Sequence, residues 1–219
     1  MSDRNQVLIF DMDGVLVDVT DSYRETIVRT VEIFTGKVIS RDLIQEYKNQ
    51  GGWNNDWSLS QKICRDLGVE IDYDTIVDHF MDVFINQGLI ERERWIPRAG
   101  LLERLSEKFE LAIFTGRSTM EAAITLQREG WMDRFLLVTA TDVEKEKPAP
   151  DGLLHIASRR PGQRLTYVGD TVDDARAAKS AGIPFIGIAA PNSPRREELV
   201  ALLEAEGAIQ VLRDVNEIS

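Results

Sequence analysis

Ten residues near the start constrain this chain most: Val7-Leu8-Ile9-Phe10-Asp11-Met12-Asp13-Gly14-Val15-Leu16. Four apolar residues run without alternation and stop at two carboxylates and a glycine. Such a run is a strand covered on both faces, as in a parallel sheet packed between helices. Open parallel sheets present their active groups just beyond the carboxyl ends of the strands. Asp11 and Asp13 fall at such an end. Buried carboxylates this close repel one another unless a cation neutralises them. The stretch therefore points to a metal, and to an anionic substrate held through it. The plainer reading is an Asp-Gly turn with Asp13 as a helix cap. A calcium loop fits poorly, because Val15, Leu16 and Val17 interrupt the alternate oxygen ligands it needs.

From Asp18 to about Arg94 the periodicity is helical. Ser22 and Glu25 form a capping-box pattern ahead of Ile27, Val31 and Phe34, and Gly36 ends that helix. Ser40 is placed to cap a second helix through Leu43, Ile44 and Tyr47. Leu59, Ile63 and Leu67 line a third, and Ile76, Phe80, Val83 and Phe84 a fourth that runs to Gly88. Between the second and third lies Gly51-Gly52-Trp53-Asn54-Asn55-Asp56-Trp57. It reads either as a turn whose aromatics pack on the bundle or as a recognition loop, with Trp53 and Asn54 as substrate contacts.

From Trp95 strands alternate with helices. Trp95 to Gly100 reads as a turn, and strands are expected at 111–114, 136–138, 165–168 and 185–188, with a short run at 209–212. The pattern is that of an α/β doubly wound parallel sheet, Rossmann-like, with an inserted α-helical domain. Residues 1–17 and 95–219 would form the core and residues 18–94 the helical cap.

Later strands also end in reactive groups. One runs into Thr115-Gly116-Arg117, and the next leads to Lys147-Pro148. A third runs into Gly169-Asp170-Thr171-Val172-Asp173-Asp174. Hydroxyl and N–H groups at a helix start suit phosphate oxygens, lysine supplies a point charge for phosphate, and carboxylates suit Mg²⁺. Arg117 is either a substrate contact or a solvated helix-start residue.

The net charge of −11 comes with no basic stripe, which excludes the usual nucleic-acid binder. No apolar run approaches the roughly 20 residues that span a bilayer. The polar start, with no secretory leader pattern, makes the cytoplasm the expected compartment. Cys64, the only cysteine, reads as a small buried apolar group. No feature assigns an oligomeric state.

The motifs together resemble the haloacid dehalogenase-like hydrolase superfamily, among the members with a helical cap after the first strand. Asp11-Met12-Asp13-Gly14-Val15-Leu16 is similar to its first motif, Thr115 to its second, Lys147-Pro148 to its third, and Gly169-Asp170-Thr171 through Asp174 to its fourth. Ala177-Ala178-Lys179-Ser180-Ala181-Gly182 is similar to the helix that follows. The loop at Gly51–Trp57 and Phe114-Thr115-Gly116-Arg117 resemble a branch with some members near histidine biosynthesis. The resemblance implies an Mg²⁺-dependent phosphatase acting on a small phosphorylated metabolite. Asp11 would be the nucleophile and Asp13 the acid and base. Thr115, Gly116 and Lys147 would hold the phosphoryl oxygens. Mg²⁺ would sit on Asp11, Asp170 and the Asp13 carbonyl. Asp174, in preference to Asp173, would orient Lys147 or a metal-bound water.

Other readings remain open. A phosphomutase shares all four motifs. A phosphonate-cleaving enzyme needs an imine-forming lysine from the cap, where Lys37, Lys48 and Lys62 lie. A dehalogenase lacks the second acid that Asp13 supplies. A non-catalytic binding module would lose one of Asp11, Asp13, Lys147 or Asp170.

Overall fold

The structure, a computed structural model, describes residues 5–219. The chain opens with β1 (Gln6–Phe10) and a two-residue strand, β2 (Val17–Asp18). Four helices follow: α1 (Tyr23–Thr35), α2 (Arg41–Gln50), α3 (Asp56–Asp66) and α4 (Tyr73–Met81). A second two-residue strand, β3 (Arg94–Trp95), then precedes α5 (Leu101–Lys108) and β4 (Glu110–Phe114). Next come α6 (Thr119–Arg128), β5 (Leu136–Val138), α7 (Asp151–Arg159) and β6 (Arg164–Gly169). The chain closes with α8 (Val172–Ala181), β7 (Phe185–Ile188), α9 (Arg196–Ala205) and β8 (Gln210–Leu212).

Six strands form one parallel sheet in the order β5-β4-β1-β6-β7-β8. Both strands beside β1 come later in the chain, so the strand order reverses at β1. In such a sheet the ligand crevice opens at that reversal, outside the carboxyl ends. The unbroken apolar run of β1 now has its cause. Val7 and Ile9 join one buried cluster with Ala112, Leu153 and Tyr167, while Leu8 and Phe10 join another with Ile113 and Ile188. Alternate side chains enter opposite faces, and both faces are covered.

The inserted helices pack on the second cluster through Tyr23, Ile27, Phe80 and Phe84. The insert leaves and re-enters through β2 and β3, which pair antiparallel, Val17 with Trp95 and Asp18 with Arg94. Sequence reading takes 95–100 as a turn; two-residue strands are too short to show a period.

Two local expectations are corrected. Ser22 stands at the start of α1 but caps nothing, and its Oγ is buried without a partner. Its ψ of −93° is far from the extended backbone that capping needs, and Glu25 is drawn away by Arg29 at 3.0 Å. The fourth helix is not uniform to Gly88, because after Met81 it widens into a π-turn, with Gln87 N–H donating to Asp82 O at 2.9 Å. The Ser40 cap and the Ser118–Glu121 capping box form as expected. Cys64 is fully buried.

Candidate active site

The site begins where β1 stops. Asp11 N–H donates to Val168 O of β6 at 2.8 Å, which fixes the end of one strand against the next. The chain then turns tightly, with the N–H groups of Leu16 and Val17 on Met12 O at 2.8 and 2.9 Å. Gly14 holds φ at +75°, and a Cβ there would lie 1.9 Å from Asp170 Oδ2. Only glycine lets the end of β6 come this close. Thr171 caps α8 in a capping box with Asp174, setting both at the same crevice.

The charges are unevenly matched. Lys147, buried, lies 2.9 Å from Asp11 Oδ1 and 2.7 Å from Asp174 Oδ1. Asp174 Oδ1 also accepts from Tyr167 OH at 2.7 Å. Its Oδ2 accepts from Thr171 Oγ1 at 2.6 Å, Thr171 N–H at 3.0 Å and Asp170 N–H at 3.2 Å. Asp174 is buried, but Lys147, Thr171 and Tyr167 outweigh that and hold its carboxyl below the usual range. Asp170 is the opposite case. Its Oδ1 is buried with no partner, and burial plus the charges of Asp174 and Asp11 push its carboxyl well up. Burial also lifts Asp11 from 3.8 to about 7, against the pull of Lys147. Removing one partner from a buried ion pair costs about 3–5 kcal/mol.

Carboxylate oxygens of Asp11, Asp170 and Asp174 lie within 4.8 Å of one another. An orphaned buried oxygen beside a second carboxylate short of positive charge fits a hard divalent cation. The free capacity is on Asp170 and Asp11; both oxygens of Asp174 are taken by protein donors.

Thr115 is buried at the end of β4, and its Oγ1 accepts from Arg117 N–H at 3.2 Å. Arg117 is not solvated: its side chain is 1% exposed. Asp13 Oδ1 accepts from Arg117 Nε at 2.9 Å and Nη2 at 2.5 Å. The same Nη2 lies 2.7 Å from Glu93 Oε1, and Nη1 donates to Thr125 Oγ1 at 2.8 Å. Below the guanidinium, at 4.9 Å, is the ring of Tyr23, whose hydroxyl donates to Glu121 at 2.9 Å.

The insert supplies the facing wall of a half-open cavity of about 50 Å³, which Arg24, Lys48, Asn54, Asp56 and Trp57 line together with Asp11, Asp13, Gly116, Arg117 and Asp170. Asp56 holds Lys48 at 2.5 Å and Arg24 at 3.5 Å. Asn54 approaches Gly116 so closely that a Cβ there would lie 2.5 Å from its Nδ2. That Nδ2 is buried and unpartnered. Trp53 is turned away, edge-on to Tyr47 at 6.2 Å, and Trp57 takes the cavity position. Asp173 faces the insert and accepts from Gly52 N–H at 2.7 Å. Arg24 and Asp170 also border a larger groove of about 500 Å³.

Sequence reading missed Tyr23, Arg24, Glu93 and Glu121 as site neighbours; it named Asp56 only within the Gly51–Trp57 loop and Lys48 only among three cap lysines. Tyr23 looks like a core aromatic, Glu121 like a capping-box partner, and Arg24 and Glu93 like surface charges; a polar residue on the buried face of an amphipathic helix, as with Lys48 in α2, is the one available signal.

The model of the haloacid dehalogenase-like hydrolase family matches residues 8–188, from β1 to β7. The chain belongs to this family. Among curated relatives of this haloacid dehalogenase-like hydrolase, an imidazoleglycerol-phosphate dehydratase of Phytophthora nicotianae is 30% identical over 204 residues. The alignment covers 86% of the chain but only 44% of that protein, so the chain spans less than half of its length. A phosphoglycolate phosphatase of Colwellia psychrerythraea is 24% identical over 192 residues, 84% of either chain. The solved structure of a putative beta-phosphoglucomutase from Thermotoga maritima superposes with a TM-score of 0.68 at 24% identity. It covers 97% of this chain and 95% of its own, and shares the fold. Among the described residues no helix is long and apolar enough to cross a membrane.

Proposed function

We propose that this hydrolase is an Mg²⁺-dependent phosphatase of a small phosphorylated metabolite, working through an aspartyl-phosphate on Asp11. One observation carries the reading. At the reversal of the strand order, Asp11 is held by Lys147 at 2.9 Å beside the orphaned buried oxygen of Asp170. An oxygen nucleophile, a fixed cation and an incomplete cation site converge there.

Asp11 attacks phosphorus and the leaving oxygen departs, which divides one difficult step into two. Thr115, the Gly116 N–H and Lys147 hold the phosphoryl oxygens. Asp13 gives its proton to the leaving oxygen and later takes one from water. Asp11, Asp170 and the Asp13 carbonyl would hold Mg²⁺, which would supply charge neutralisation for the transferred group. Asp174 positions Lys147. Residues 18–94 act as a cap that excludes water, and Asn54 offers its free amide to the leaving group. The phosphatase reading also agrees with the phosphatase relative.

The test is a panel of small phosphate esters with added Mg²⁺, including phosphoglycolate and imidazoleglycerol phosphate, which figure in the relatives' names. Steady release of phosphate, lost on chelation and restored by Mg²⁺, is expected, as is an acyl-phosphate on Asp11 that hydroxylamine cleaves. Full turnover with metal shown to be absent refutes the metal. An acyl-phosphate formed without steady release favours a mutase.

A further inference from the structure

Arg117 is the most completely engaged cation of the site, yet phosphate chemistry has no evident place for it. A guanidinium carries five N–H donors in a rigid fork. Three donate to protein acceptors, two to Asp13 Oδ1 and one to Thr125 Oγ1, and Nη2 is also ion-paired with Glu93 Oε1 at 2.7 Å. One face is against the Tyr23 ring. With the side chain 1% exposed and both its edges facing protein groups, the fork is not presented to a phosphate. Glu93, itself 0% exposed, is fixed by Arg128 at 3.1 Å and by Thr125 Oγ1 at 2.6 Å. The arginine is thus clamped from behind by Glu93, the residue just before β3, and by α6. Its other edge meets a residue 104 positions earlier in sequence.

Asp13 has no such frame of its own. It sits in the turn after β1 with a side chain 27% exposed. Both Arg117 contacts fall on Oδ1, and among the described residues no protein donor reaches Oδ2. Two donors on one oxygen fix the plane of a carboxyl group and leave the other oxygen to face the cavity.

We propose that Arg117 is a positioning residue: clamped by Glu93 and Thr125, it fixes the Asp13 carboxyl so that Oδ2 meets the leaving oxygen, and it does not bind substrate. This rests on the reading of Asp13 as acid and base. As the P–O bond breaks, its electron pair goes to the leaving oxygen, which takes the proton of Asp13. The Asp13 carboxylate then takes a proton from the water that opens the aspartyl-phosphate. A misplaced carboxyl slows the first event most when the leaving alkoxide is strongly basic. A weakly basic aryl oxide needs little protonation.

The experiment compares kcat/KM for p-nitrophenyl phosphate and for a simple alkyl phosphate in Arg117→Lys. Lysine keeps the charge and loses the fork. Alkyl ester hydrolysis should fall about a hundredfold and aryl ester hydrolysis less than about tenfold, within the range general acids supply. The double variant Arg117→Met/Glu93→Gln removes both buried charges together and should show the same widened ratio if the single variant folds poorly. Equal losses on both esters, with or without a lower Tm, would overturn the proposal. Asp13→Asn separates the two readings. If it leaves the ratio unchanged, the acid role of Asp13 is wrong. If it widens the ratio and neither Arg117 variant does, Asp13 is the acid and Arg117 is only structural.

Discussion

The two walls of the cavity are built differently. On the core side, Asp11 beyond β1, Arg117 beyond β4, Lys147 in the segment between β5 and α7, and Asp174 in α8 are buried; Lys147 lies 2.9 and 2.7 Å from Asp11 and Asp174, and Arg117 2.5 Å from Asp13. On the insert wall, Arg24, Asn54 and Trp57 are only half-buried, and Asn54 presents an unpartnered amide. Around the Gly51–Trp57 loop the insert meets the core through Gly52 N–H on Asp173 and Arg176 on Gln50 O at 3.3 Å, while Tyr23 and Glu93 bond to Glu121 and Arg117 behind Asp13. On the proposed reading, the groups nearest the reacting atom are mostly paired with one another, Asp170 excepted. On the insert side Asn54 keeps free capacity, whereas Asp56 holds Lys48 and Arg24.

If that division is real, substitutions on the two walls should fail differently. The largest effect is expected for Asp11→Asn, with kcat lower by about four orders of magnitude or more on every ester, the size seen when a covalent nucleophile is lost. Single-turnover kinetics on two esters checks this, and residual activity within about tenfold of wild type contradicts it. On the insert wall, Asn54→Ala and Trp57→Ala should change kcat/KM for a good natural substrate by about tenfold, roughly 1.4 kcal/mol. The same variants should hardly affect a small aryl phosphate. Trp53→Ala, with its ring against Tyr47, should lower Tm and leave the ratio between substrates flat. A selectivity change at Trp53 without one at Trp57 would invert this picture of the loop.

The smallest effect expected is on stability. Native Asp11 keeps its proton up to about pH 7, whereas the unfolded chain releases it near 3.8. The folded state therefore binds more protons over that span, and stability falls as pH rises through it. Asp170, pushed up by burial, adds to the fall. Melting curves in chelator should show Tm dropping from about pH 5 to pH 8 by a few degrees. Mg²⁺ should reduce the drop and Asp11→Asn should flatten it. A Tm that rises with pH in chelator would refute the imbalance.

The core wall was largely legible in the sequence, because a doubly covered strand leaves an apolar run and its end leaves an abrupt polar group. The β1, β4, β5, β6 and β7 runs each carry that mark. The insert wall was legible only as the Gly51–Trp57 loop, whose two readings stayed open and whose contacts did not show. Lys48 and Asp56 form their pair across a loop, and Arg117 meets Asp13 and Glu93 from distant parts of the chain. No periodicity encodes a contact between residues 104 apart. The capping failure at Ser22 has the same origin: the pattern was present, but the approach of the chain into α1 set a backbone angle unfit for it.

The pairing of Val17 with Trp95 and Asp18 with Arg94 has a consequence for how such a chain can change over time. The two ends of the insert lie side by side, bonded to each other, with Ile96 N–H on Leu16 O at 2.9 Å completing the ribbon. Loop-closure entropy grows only with the logarithm of length, so lengthening what hangs from the ribbon adds about 0.6 kcal/mol per doubling. The graft point stays where it is whatever is grafted. A lineage can exchange its recognition module for another while Asp11 and Asp13, a few residues before the ribbon, keep their places in the sheet.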